Sequence, residues 1–68
     1  LLTQARALAR GDRLRAELLF AMGRASQRTG DHARTIRDLE AYRKEHPRGA
    51  DIERVRFHLG EAQLAAGQ

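Results

Sequence analysis

Gly30–Pro47, GDHARTIRDLEAYRKEHP, is one helix with its start and stop signals attached. A glycine just past a helix takes the left-handed backbone cheaply, and an aspartate after it can cap the next helix by accepting from free N–H groups. At the other end the Pro47 ring cannot continue a helix and biases His46 away from helical geometry. Between these signals Thr35, Ile36, Leu39 and Tyr42 form an apolar side. Arg34 with Asp38, and Glu40 with Lys44, stand at i,i+4 and are expected to lace a solvated back face.

The same punctuation recurs outward from this stretch. Gly11-Asp12, Pro47-Arg48-Gly49 and Gly67-Gln68 divide the chain into a helix tail at 1–10 and helices at 13–29, 32–46 and 51–66. No strand signal and no low-complexity segment is present. Phe20, Gly23, Ala25 and Gly30 recur as Phe57, Gly60, Ala62 and Gly67, every pair offset by 37 positions. A fixed period of this size is the signature of a stacked helical array.

At about 100° per residue, Leu14, Leu18, Ala21, Met22 and Ala25 fall in one stripe of the 13–29 helix, with Leu19 at its edge. This stripe is the expected core side. In the 51–66 helix the stripe is Ile52, Val55, Leu59, Ala62 and Ala66. Phe20 and Phe57 lie off these stripes, among charged residues, and Leu64 follows Phe57 by two turns. Two equivalent aromatics off-stripe in two equivalent helices argue for a second, specifically used face.

The 68 residues allow one small domain at most, and chains this short bury only about 60% of their unfolded surface. There is no cysteine, hence no disulfide staple and no thiolate zinc site. No apolar run is long enough to span a bilayer, so no direct membrane insertion is expected. Thirteen basic against nine acidic residues give +4, an ordinary value for a soluble domain. The chain opens in mid-pattern, with Leu1, Leu2, Ala5 and Leu8 at helical spacing, and reads as a piece of a longer protein.

These residues resemble the tetratricopeptide repeat, an array of helix–turn–helix units. Leu19, Met22-Gly23, Gly30, Thr35, Leu39, Tyr42 and Pro47 occupy that family's places in register, and Leu59-Gly60 and Gly67 begin a second unit. The departures are Leu19 for a large aromatic, Ser26 for a Tyr, Thr35 and Tyr42 for small residues, and Arg56 and Gln63 for aromatics. The period of 37 exceeds the family's common spacing of about 34, the extra residues falling around Arg48–Asp51. That longer spacing is similar to units of bacterial cell-envelope proteins, namely Tol–Pal-associated periplasmic factors and outer-membrane assembly lipoproteins. The same units also occur in cytoplasmic proteins, so the compartment stays open between envelope, periplasm and cytoplasm.

The resemblance implies an all-α, right-handed solenoid fragment. Residues 1–10 would be the second helix of a preceding repeat, 13–47 a complete repeat, and 51–68 the first helix of the next. Gly23, Ala25, Gly60 and Ala62 would be the small residues between stacked helices. It further implies a concave groove lined by Phe20, Arg24, Gln27 and Arg28 from one unit and Arg54, Phe57, His58 and Glu61 from the next. Aromatics flanked by arginine suit a protein or peptide partner with apolar anchors and some acidic character. The residues leave two roles open for Phe20 and Phe57: anchoring a partner, or packing on neighbouring repeats. A clamp for a terminal carboxylate needs Lys and Asn at groove positions, whereas this chain has Phe20, Arg24 and Ala21 there and no Asn.

The expected function is a non-enzymatic protein–protein interaction scaffold without metal or cofactor. His32, His46 and His58 share no helical face with acidic partners. Ser26, the one serine, has no nearby His to activate it, and the glycines are isolated rather than gathered in a phosphate loop. Two other readings stand beside the scaffold. One is a basic nucleic-acid-binding module, against which the spread of Arg over all helices and the interrupting acids count. The other is a structural spacer or accessory domain of a larger envelope protein or enzyme. Because each repeat buries its faces on neighbours, apolar surface is expected at both ends, and self-association with it.

Overall fold

The turn at Gly30 organises the structure, a computed structural model that describes the backbone of residues 2–67 and the side chains of residues 10–67. Gly30 adopts φ +80°, the left-handed region that costs glycine little. Its N–H donates to the Gln27 carbonyl (3.2 Å) and the Asp31 N–H donates to the Ser26 carbonyl (3.0 Å). Together these two bonds close the preceding helix in a Schellman motif. Asp31 then caps the next helix, its carboxylate accepting from the Arg34 N–H at 3.2 Å.

Three helices result: α1 (Leu2–Thr29), α2 (His32–Glu45) and α3 (Ile52–Ala65), with no strand among the described residues. This is a small all-helical, three-helix domain. The second turn follows His46-Pro47-Arg48-Gly49, where the Gly49 N–H donates to the His46 carbonyl at 2.9 Å. Proline in the second place of such a turn has its φ already set. The Asp51 N–H, at the start of α3, donates to the Tyr42 hydroxyl at 3.1 Å. A Cβ at Gly49 would lie 2.8 Å from Tyr42 Cζ, so the turn closes over the phenol only because residue 49 has no side chain.

α2 packs on both α1 and α3 through one buried stripe, Thr35, Asp38, Leu39 and Tyr42, while α1 and α3 touch only lightly. The core is Ala16 and Leu19 from α1, Leu39 and Tyr42 from α2, and Val55 and Leu59 from α3. Thr35 and Ala62 are buried with them, and Phe20, Ile36, Ala41 and Ile52 flank the cluster.

Four expectations are corrected. The Gly11-Asp12 pair does not break the first helix; α1 runs through it, and the side chains of 2–9 lie outside the described residues. A single glycine without a following proline weakens a helix but need not end it. The stripe expected to be the core side of α1 is instead its open face: Leu14, Leu18, Ala21, Met22 and Ala25 are all exposed. α2 takes the neighbouring face, Ala16, Leu19, Gly23 and Ser26, because Gly23 lets it come close.

Asp38, expected on a solvated face, is only 6% exposed. Arg37 Nε is 3.9 Å from its Oδ1, and its Oδ2 has no hydrogen-bond partner. Its position is intelligible from spacing, since Thr35, Asp38, Leu39 and Tyr42 follow the i, i+3, i+4, i+7 pattern of a buried helical face. Of the four small residues expected between helices, Gly23 and Ala62 are buried, Ala25 is exposed, and a Cβ on Gly60 would meet nothing.

Candidate functional site

The candidate site is built on the side of the domain that α1 and α3 share. Phe20 and Arg24, one turn apart on α1, and Arg54, Phe57 and His58 on α3 line a groove of about 520 Å³ together with Glu53. Phe20 stands where core and groove meet. Its ring lies edge-on to Tyr42 at 6.4 Å and at 6.1 Å from the His58 ring. Phe57, by contrast, is exposed and touches the His58 ring at 5.3 Å, edge to face. The groove therefore has a fixed aromatic floor and one ring free on its wall.

A polar chain runs along the groove from α1 to α3. Arg24 Nη1 donates to Gln27 Oε1 (2.9 Å), and Gln27 Nε2 donates to Glu61 Oε1 (3.2 Å). His58 Nδ1 is 2.8 Å from the same Glu61 oxygen and 3.1 Å from Arg24 Nη1. One ring nitrogen cannot both donate to Glu61 and accept from Arg24. The shorter contact, to a carboxylate, assigns the proton to Nδ1, and the Arg24 bond goes to Gln27. The Glu61 carboxyl is held below its ordinary 4.5, first by the hydrogen bond from His58. Partial desolvation opposes that shift, while the Gln27 bond and the charges of His58 and Arg24 add to it.

Arg54 Nη1 lies 3.9 Å from Asp51 Oδ1, a loose and exposed pair that leaves the guanidinium able to turn toward a ligand. Five of the eight residues expected in the groove line it, Phe20 and Arg24 from α1 and Arg54, Phe57 and His58 from α3, while Gln27 and Glu61 are tied to Arg24 and His58 by hydrogen bonds without lining it. Arg28 does not join them; it is exposed in the last turn of α1. Glu53 was missed. It precedes Phe57 by four residues, so the spacing that placed Phe57 on this side also places Glu53 there.

Chemically the groove offers aromatic surface, two guanidinium groups and a histidine whose ring is already engaged. Among the described residues no three His, Cys, Asp or Glu side chains gather as a metal-binding set. No helix of the described residues is long and apolar enough to cross a membrane. Fold and site together define a three-helix domain with an open, aromatic and arginine-lined groove between its outer helices. No family model, curated protein or solved structure matches the chain.

Proposed function

We propose that this chain is an interaction module of the tetratricopeptide kind, a solenoid fragment that holds a partner segment in the α1–α3 groove. The observation that carries the reading is the placement of Phe20 and Phe57. They stand 37 residues apart on different helices, yet line the same groove with Arg24 and Arg54 on its walls. Apolar anchors gain burial on binding, and guanidinium groups orient a carboxylate through paired hydrogen bonds. The partner segment carries an aromatic or aliphatic anchor flanked by Asp or Glu.

Several arginines already face carboxylates, Arg15 on Glu45 and Arg54 near Asp51 among them. That arrangement disfavours a continuous basic strip of the sort a phosphate backbone needs.

The test is a titration of the isotope-labelled chain with peptides that pair a Phe or Leu anchor with flanking Glu. Saturable shifts at Arg24, Arg54, Phe57 and His58, lost in Phe57→Ala, are the expected result. Shifts that persist unchanged in Phe57→Ala, or that spread over every arginine and vanish with modest salt, would remove the groove reading.

A further inference from the structure

Between the last turns of α1 and the first turns of α2 lies a depression of about 310 Å³, lined by Met22, Ala25, Ser26, Arg34, Arg37 and Asp38. Two of its polar side chains are withdrawn from solvent, Asp38 at 6% exposure and Ser26 at 9%. Asp38 Oδ2 has no hydrogen-bond partner, and Oδ1 has Arg37 Nε at 3.9 Å, beyond hydrogen-bond reach. A carboxylate taken out of water without donors is an unfavourable arrangement that the N–H groups of a ligand would relieve.

Two helical spacings bring these groups together. Arg34, Arg37 and Asp38 share one side of α2 at i, i+3 and i+4, and Met22, Ala25 and Ser26 repeat that spacing on α1. Gly23 lets the two sides meet, with Asp38 Cβ only 3.7 Å from where a Cβ of residue 23 would stand. The result is an apolar wall at Met22 and Ala25, a buried carboxylate and hydroxyl, and a rim of two exposed guanidinium groups.

The signs of these charges select the ligand. An anion alone would meet the Asp38 carboxylate, and a cation alone would meet Arg34 and Arg37. A zwitterion satisfies both, with its ammonium inside and its carboxylate at the rim. The Ser26 hydroxyl can accept from the same ammonium, and the flexible Met22 thioether adapts to an apolar side chain.

We propose that this depression binds a free α-amino acid with an aliphatic side chain, its ammonium on Asp38 and its carboxylate on Arg34 and Arg37. The site shares no lining residue with the α1–α3 groove, so the two readings stand or fall independently.

Titration of the isotope-labelled full chain with L-leucine tests the proposal. Saturable shifts are expected at Met22, Ala25, Ser26 and Asp38, with a dissociation constant below about 1 mM. N-acetyl-leucine, which lacks the ammonium, should not bind. Leucinamide, which lacks the carboxylate, should bind about tenfold more weakly. Asp38→Asn keeps the side chain's size and removes its charge, so affinity should fall about tenfold or more. Arg34→Gln and Arg37→Gln change exposed side chains, and each should weaken leucine about two- to fivefold. Circular dichroism checks helicity in all three variants.

Absence of saturable shifts at about 10 mM leucine overturns the proposal, since the required affinity would fill the site there. Leucinamide binding as tightly as leucine overturns it by removing the role of the carboxylate. Unchanged affinity in Asp38→Asn does so by removing that of the ammonium. If Asp38→Asn loses its helicity, the arginine variants decide, and unchanged affinity in both overturns the proposal. Shifts centred on Phe57 and Arg54 overturn it by moving leucine to the groove.

Discussion

Gly23 sits against Leu39 so closely that a Cβ on it would fall 2.6 Å from Leu39 Cδ2 and 3.0 Å from Leu39 Cγ. Leu39 is fully buried and has nowhere to retreat. Gly60, the counterpart 37 residues on, would place a Cβ in open space, and so would Gly11. One substitution should therefore have opposite signs at equivalent positions. Gly23→Ala overpacks the α1–α2 contact and should cost about 1–3 kcal/mol. Gly60→Ala and Gly11→Ala remove only the helix penalty of glycine and should each gain up to about 1 kcal/mol. Urea unfolding followed by circular dichroism measures all three, and a loss in Gly60→Ala would contradict the open face of α3.

The turn between α2 and α3 depends on one phenol. Tyr42 is buried, its hydroxyl accepts the Asp51 N–H, and its ring fills the space that a side chain at residue 49 would need. Tyr42→Phe should cost about 1 kcal/mol for the lost bond, and Gly49→Ala should cost more because the ring must move. The pair should not be additive. Without the hydroxyl the ring meets the new methyl less severely, so the double variant should be more stable than the sum of the two losses implies.

Asp38 is a buried carboxylate with an unpartnered oxygen and a distant arginine, a combination in which desolvation outweighs attraction. Asp38→Ala should leave stability unchanged or raise it by about 1 kcal/mol, against the usual direction for a buried position. A lower melting temperature in Asp38→Ala would mean that the carboxylate is better satisfied than its contacts indicate.

Much of the fold was legible in local signals. Gly30-Asp31 and Pro47 mark their turns because each acts on the backbone within a few residues, and α2 and α3 fall where those signals place them. The core face of α1 was not legible. Both its faces carry small or apolar residues, so periodicity alone favours the larger ones, Leu14, Leu18 and Met22. What decides is the close approach allowed at Gly23, a property of two helices rather than one. Asp38 was misplaced for a related reason: its spacing from Arg34 is that of an exposed pair, while its spacing from Thr35 and Tyr42 is that of a core. Phe20 and Phe57 stand out against charged neighbours whatever covers the other faces, and both line the depression between α1 and α3.

Two exposed carboxylates, Glu45 and Glu61, are held below their ordinary range and contribute to acid sensitivity. Glu45 is held below its ordinary 4.5 first by a hydrogen bond from Arg15, whose Nε and Nη2 reach its two oxygens at 2.8 and 3.3 Å. Glu61 is lowered first by His58. A carboxyl with a depressed folded value contributes stability that is present above its unfolded value and is lost as pH falls through the folded one. Stability should therefore hold above about pH 4.5 and decline below it. Glu45→Gln and Glu61→Gln should each flatten that decline, and high salt should flatten it further for these exposed groups. A slope unchanged in both variants would place the acid sensitivity elsewhere.

The two groove aromatics should separate stability from binding. Phe57 is 65% exposed and rests on one ring, so Phe57→Ala should change stability little while abolishing capture of an anchored acidic peptide. Phe20 also packs on Tyr42 and flanks the core, so Phe20→Ala should cost about 2–4 kcal/mol in addition to weakening capture. Arg24→Gln offers a third separation. It removes the guanidinium without touching an aromatic and frees the Gln27 carbonyl oxygen, so it should weaken acidic peptides and spare neutral ones. Binding that tracks stability across the three variants would mean that peptide loss reports unfolding. Binding that follows Phe57 and Arg24, with helicity intact, assigns recognition to the groove itself.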